Sequence, residues 1–312
     1  MATYNFKNQA EVYIYTTTNT RYKLDVTSDL SFSQTFTDST YAQKTLHEQH
    51  KMHEASNIKK ANPANFEFTI PAIKEPDLLI VKRLLVDYET DTNTLQTFDL
   101  YIKLPNDVYK LEKCVITNGT FIIEKLENLK LAISGQASKL VHGATLPTPN
   151  IASGRSGATP QSIKHLSVSI GSTNLSTQGG LYKVSAELQN DIEWTPYETV
   201  NDALSVTNAA TSMYPSNFTL KKRILSGSIG QYVNSDTDNL TQEWQTGVPI
   251  VIKAGDSATK GFQFNLLDCT FTNRNNVADV FTQSYDWKMN DNPVDLGDNT
   301  DTNRSFITFN NL

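Results

Sequence analysis

The chain has 312 residues, a mass of 34.8 kDa, a formal net charge of −6 and a pI near 5.4. That length holds about two domains at roughly 150 residues each, and either could bury a core without metal or disulfide staples. The 38% hydrophobic content excludes strong disorder, the acidic balance disfavours a generic phosphate-gripping nucleic-acid binder, and two cysteines, Cys114 and Cys269, exclude a disulfide framework and a four-cysteine zinc site.

Thr, Ser and Asn are abundant, and the apolar residues are those that suit a pleated sheet. Residues 11–15 (EVYIY) alternate, a polar TTTNTR follows, and residues 22–26 (YKLDV) complete a predicted hairpin. Leu30, Phe32 and Phe36 extend the alternation. Residues 38–64 are polar and read as a long excursion, with helix-compatible residues at 42–56 and a stop at Pro63. Strands are predicted at 66–70, 98–104, 108–116, 121–124 and 126–133, and Asn118-Gly119 is the strongest hairpin-turn signal. Residues 77–85 (DLLIVKRLL) fit a buried strand or a short helix equally.

Residues 143–162 are rich in Pro, Gly, Ser and Ala and read as a linker. The strand pattern then restarts at 166–170, turns at Gly179-Gly180, and continues through 182–188 to Trp194. A second polar excursion covers 195–216, strands are expected at 218–229, 249–253 and 261–272, and 277–289 is compatible with a helix. Residues 290–312 form a polar acidic tail in which Phe306, Ile307 and Phe309 could still dock.

The halves resemble each other in order. YKL at Tyr22 matches YKV at Tyr182, NFEFTI at Asn65 matches NFTLKK at Asn217, and LYIKLPND at Leu100 matches IVIKAGDS at Ile250. VYKLEKCVITN at Val108 matches FQFNLLDCTFTN at Phe262, and the Asn-Phe-to-Cys intervals are 49 and 52 positions. The division predicted is a first domain at 1–145, a linker at 146–162, a second domain at 163–289 and a tail at 290–312. Under duplication the cysteines sit on equivalent strands of different domains, too far apart for a disulfide, and both are read as small buried apolar residues.

Chemistry-bearing patterns are sparse. His47, His50 and His53 fall three apart beside Glu48 and Glu54, but no second ligand segment accompanies them and HExxH is absent. There is no G-x-S-x-G elbow, P-loop or dinucleotide glycine fingerprint, and no carboxylate pair stands out. Lys221, Lys222 and Arg223 read as a solvated strand edge, and Trp194, Trp244 and Trp287 as core or interface anchors before a sugar platform. No apolar run approaches the roughly 18 residues of a membrane span, and the first 15 residues lack signal-peptide order. The expectation is a soluble protein from a reducing cytosol, neither an enzyme nor a holder of cofactor or metal.

A duplicated β-sandwich with a long polar excursion between early strands, in one acidic chain, resembles the bacteriophage tail tube proteins. The resemblance covers residues 10–289 and rests on organisation. It implies a mainly β fold with two tandem sandwich or barrel domains. It also implies rings of six folds, formed here by three chains, that stack into a tube with a continuous inner β-barrel. Partners would be further copies of the chain, other tail proteins, and DNA passing through the lumen without specific binding. The setting would be the virion, after assembly in the host bacterial cytoplasm. Contacts between subunits would fall to the excursions, with Tyr41, His47, His50, His53 and Ile58 in the first. Asp25, Asp29, Glu187, Asp191 and Glu193 cluster around two strands opposed by Lys23 and Lys183, and are expected on the lumen face, where an acidic or neutral wall would not hold DNA. The alternatives are a baseplate hub or tail-completion ring, and a carbohydrate-binding or decoration β-sandwich.

Overall fold

The computed structural model describes residues 4–16, 20–42, 54–71, 73–74, 95–124, 127–148, 160–194, 213–234, 244–258, 261–277, 279–290 and 307–310. Among the described residues the elements are strands, apart from a short 3-10 turn at Lys7–Gln9. In the first half these are β1 (Glu11–Thr16), β2 (Arg21–Leu24), β3 (Ser31–Ser33), β4 (Phe36–Ala42), β5 (Glu54–Ala61), β6 (Ala64–Ile70), β7 (Phe98–Lys103), β8 (Val108–Ile123), β9 (Lys130–Ala137) and β10 (Lys139–His142). In the second they are β11 (His165–Ile170), β12 (Thr173–Asn174), β13 (Leu181–Trp194), β14 (Phe218–Tyr232), β15 (Trp244–Gly255), β16 (Gly261–Val277), β17 (Phe281–Met289) and β18 (Ile307–Asn310).

Alternation dictates the packing. In β6 and β9 every second side chain is buried, so Phe66, Phe68, Leu131 and Ile133 face inward while Glu67 and Ser134 do not. In the first half the strands form two layers, and one long strand belongs to both. That strand, β8, pairs with β7 through Cys114 and with β9 from Val115 onward. It changes layer at Lys113, whose φ of 54° is rare for a side-chain-bearing residue. The Lys113 N–H donates to Asp99 Oδ1 at 3.0 Å, which anchors that irregular turn.

The same neighbour series runs through both halves. It reads β2-β1-β7-β8-β9-β6-β3 in the first and β12-β11-β15-β16-β17-β14-β13 in the second, with β10 on β8 and β18 on β16. Both contain the same irregularity: Phe98 faces Cys114 while Leu100 faces Leu111, and Val248 faces Cys269 while Ile250 faces Leu266. Cys114 and Cys269 therefore hold matching positions. At a second matching cross-strand pair an aromatic ring lies over a glycine, with the partners exchanged: Phe66 opposite Gly135, and Trp287 opposite Gly227.

The halves meet edge to edge. β13 pairs antiparallel with β8 from Asn118 to Ile123, on the edge that β7 leaves after Cys114. One continuous apolar cluster runs through both halves, and Phe121 of β8 lies 5.7 Å from the Phe262 ring and 5.3 Å from the Phe264 ring of β16.

Several sequence expectations are corrected. Asn118-Gly119 does not turn; β8 runs straight through it, because both its edges are occupied there, by β9 and β13. Residues 281–289 form strand β17 and not a helix, since their alternate burial fills the slot between β14 and β16. The first excursion begins and ends as strands, β4 and β5, paired only with each other among the described residues. Its stretch at 43–53 lies outside the described residues, as do 77–85 and 195–212. The YKL and YKV matches fall on the non-corresponding strands β2 and β13, and the two Asn-Phe matches fall on β6 and β14 but out of register. The linker's end is pinned to the first half: Lys74 bridges Pro160 and Asn128 bridges Ser162. The tail returns as β18 on β16.

The outer layer carries an acid-sensitive group. Glu11 on β1 accepts from Lys23 Nζ at 2.5 Å and from Tyr13 and Lys103 at 2.9 and 3.3 Å. The Lys23 hydrogen bond leads, and the Glu11 carboxyl is pulled down to about 2 from 4.5. A depressed carboxylate contributes stability that is complete above 4.5 and is lost as pH falls toward 2. Glu11→Gln should therefore flatten part of the acid-side loss of stability, by a small amount because the site is partly solvated. Urea midpoints at about pH 6 and about pH 2.5 measure it.

Candidate assembly surface

Seven successive antiparallel pairings build one eight-strand sheet, β3-β6-β9-β8-β13-β14-β17-β16, that spans both halves. Residues directly opposite each other across strands share a face. One row therefore runs Thr69, Ala132, Thr120, Glu187, Ser226, Lys288, Thr270, and the next runs Lys130, Ile122, Ser185, Ser228, Asp286, Thr272. The opposite face, with Phe66, Ile133, Phe121, Ala186 and Trp287, is the buried core. The outward face is thus a field of hydroxyl and amide groups with charges of both signs. Its carboxylates include Glu67, Glu187, Asp191, Asp286 and Asp268, the last held by Asn290 beside Thr270, and its cations include Lys130, Lys183, Lys222, Lys288 and Arg274. Asp286 lies 3.4 Å from Arg274 and Asp191 lies 3.9 Å from Lys222. Asn118 Nδ2 donates to Glu187 Oε1 at 2.7 Å across the junction of the halves. The surface is close to neutral and is not a cationic groove.

Glu187 and Asp191 sit on this face of β13. Glu193 follows a register shift after Asp191, is exposed, and pairs with Lys221 at 2.9 Å. Of the two predicted first-half carboxylates, Asp29 sits beside Thr69, the first residue of the first row, and Asp25 does not lie on these strands. Asp25 lies beyond β2 and pairs with Lys74 at 3.5 Å. Asp29 sits at the near end of β3, where its Oδ2 accepts from Thr69 Oγ1 at 2.5 Å. Partial burial there opposes ionisation, but the Thr27 and Thr69 hydroxyls outweigh it and hold the carboxyl below its usual range. Tyr41 and Ile58 lie on β4 and β5, and His47, His50 and His53 lie outside the described residues.

Sequence reasoning missed the contribution of β9, β14, β17 and the end of β8 to this face. The signal was available in KLAISGQA at 130–137, whose odd and even positions separate cleanly. The junction between halves had no local signal, because strand pairing at long separation is set by edge availability.

Both thiols are buried. Burial raises the Cys114 thiol well above its ordinary range and pushes Cys269 up to about 12. Among the described residues no cluster of three His, Cys, Asp or Glu side chains is arranged to hold a metal, and no helix is long and apolar enough to cross a membrane.

The sequence matches no curated protein. It does match a phage family across nearly its whole length. That match places the chain among virion structural proteins that interact with other tail components, and it agrees with a mainly β chain in which, among the described residues, β3 pairs only with β6. By the match over residues 2–297, the chain belongs to the bacteriophage baseplate tube protein family.

Proposed function

We propose that the chain is a tandem duplicate whose halves take neighbouring places in a ring, and that three chains close each ring. Such rings stack into the tube of a phage tail or baseplate and let DNA pass without holding it. The role is structural and not catalytic. The observation that carries this reading is the identical strand-neighbour series in the two halves, joined side by side at β8 and β13. An open sheet edge invites pairing, and closing a ring removes it. The polar, near-neutral sheet face suits a lumen: every unpaired Lys or Arg would add a salt-dependent grip on phosphate, with a slope of roughly 0.9 per neutralised charge on duplex DNA.

Electron microscopy of the purified protein tests the reading. Hollow tubes or rings with threefold chain stoichiometry are the expected result, and a monomer at all concentrations would contradict it. Rings that never stack favour a baseplate hub, the reading that the family's baseplate description supports.

The arm formed by β4 and β5 is expected to serve contacts between rings, because its strands pair only with each other among the described residues. Replacing residues 39–58 by a short turn should leave the monomer folded, with its melting temperature little changed. Tube length should fall to single rings or short stacks. Tubes of ordinary length from this variant would remove the arm from the assembly.

A further inference from the structure

The junction inside one chain is a template for the junction between chains. On the proposed ring reading, the partner that completes the sheet is a second copy, and the internal pairing supplies its register. Phe32 pairs with Phe66, which pairs with Gly135; Ala186 pairs with Gly227, which pairs with Trp287. Residues 30–32 thus correspond to 184–186. In the same way Ser134 faces Asn118 and Asp286 faces Thr272, so 121–123 of β8 correspond to 275–277 of β16.

Inside the chain, Val184 lies opposite Ile123, Ser185 opposite Ile122 and Ala186 opposite Phe121. The corresponding edges are both open: among the described residues β3 pairs only with β6, and residues 273–277 of β16 pair only with β17. The burial contrast agrees. Ile123 is fully buried under β13, whereas its counterpart Val277 is 67% exposed.

A second contact repeats the pattern. Residues 160–163, just before β11, run over the β8–β9 connection: Leu129 N–H donates to the Gln161 carbonyl at 2.9 Å and Ile163 N–H to the Glu127 carbonyl at 2.8 Å. Leu129 is fully buried there, while its counterpart Phe281, the first residue of β17, is 59% exposed. The segment preceding β1, the counterpart of 160–163, holds Tyr4 and Phe6, which are 79% and 61% exposed. One end of the chain thus bears uncovered apolar surface, and the other bears the residues placed to cover it.

We propose that β3 of one copy adds antiparallel to β16 of the next, with Leu30 opposite Val277, Ser31 opposite Asn276 and Phe32 opposite Asn275, and that residues 4–7 of the first copy cover Phe281 of the second. Directly opposed strand residues have Cα atoms about 4.5–5.5 Å apart, within reach of a disulfide. A one-residue slip puts the side chains on opposite faces.

The test is the full-length chain carrying Ser31→Cys and Asn276→Cys, oxidised mildly and run on a non-reducing gel, beside Ser31→Cys with Val277→Cys. The wild type, with both thiols buried, is the blank. The first variant should form a ladder of covalent multimers that reductant collapses, at least ten-fold more than the slipped one. A separate variant, Phe281→Ser, alters only an exposed side chain and should shift the sedimenting species from rings toward folded monomer. Rings or tubes with no cross-link, or with equal cross-linking in both variants, overturn the register while leaving the ring reading intact. Failure of the wild-type chain to assemble at all overturns the ring reading and this pairing with it.

Discussion

Phe121→Ala should destabilise the protein by about 3–5 kcal/mol, the range for removing a large aromatic side chain from a packed core. Phe121 is buried on β8 and touches the rings of both Phe262 and Phe264 on β16. Its removal takes away the transfer energy of a ring and opens a cavity that two sheets must close around. Because the ring belongs to the first half and its aromatic partners to the second, both halves should lose stability together. Thermal unfolding followed by near-UV circular dichroism should show one transition displaced as a unit. Two transitions, with only one displaced, would mean that the halves fold independently and that the shared core contributes little. Truncating the exposed Val277 to alanine is the comparison, and in the isolated monomer it should change stability by no more than about 0.5 kcal/mol.

Gly227→Ala should also be strongly disruptive, although it adds only one methyl group. A Cβ built at Gly227 would lie 2.1 Å from the Ser185 carbonyl oxygen and 2.5 Å from the Trp287 ring. The first contact is backbone, so no rotamer change relieves it, and β13 must separate from β14. Overpacking of this kind typically costs about 1–3 kcal/mol. The matching site gives a matching expectation: a Cβ at Gly135 would lie 2.4 Å from the Val115 carbonyl oxygen and 2.2 Å from the Phe66 ring. Gly135→Ala and Gly227→Ala should have similar urea midpoints, both below wild type. Gly143→Ala is a different control: nothing lies near its Cβ, and its φ of +70° alone should make it mildly destabilising. Equal effects at all three would show that the aromatic-over-glycine packing is not what matters.

Much of the fold was legible in the sequence because alternation is a local signal. EVYIY and FEFTI were placed correctly, the cysteine-bearing strands were found but predicted to end too early, and both cysteines are buried. The failures came where long-range pairing overrode local chemistry. Asn118-Gly119 has ideal turn residues, yet two neighbouring strands hold it extended. Residues 281–289 carry a sequence compatible with a helix, and the open space between β14 and β16 makes them a strand. The order of motifs suggested a repeat, but two of its four sequence matches fall on non-corresponding strands or out of register with the pairing pattern. The reliable correspondence lies in the pairing pattern, where Phe66 over Gly135 and Trp287 over Gly227 preserve shape while exchanging residues. The candidate surface was legible only in part: charge counting found Glu187 and Asp191, but the cations opposite them lie on strands that only the register brings together.

An electron cryomicroscopy map of the assembled protein tests the central claim most directly. The account predicts an uninterrupted antiparallel wall in which β16 of each chain is followed by β3 of the next, with Glu187, Ser226 and Thr270 facing the lumen. An assembly in which that face points outward, or in which the β3 and β16 edges stay uncovered, would contradict it.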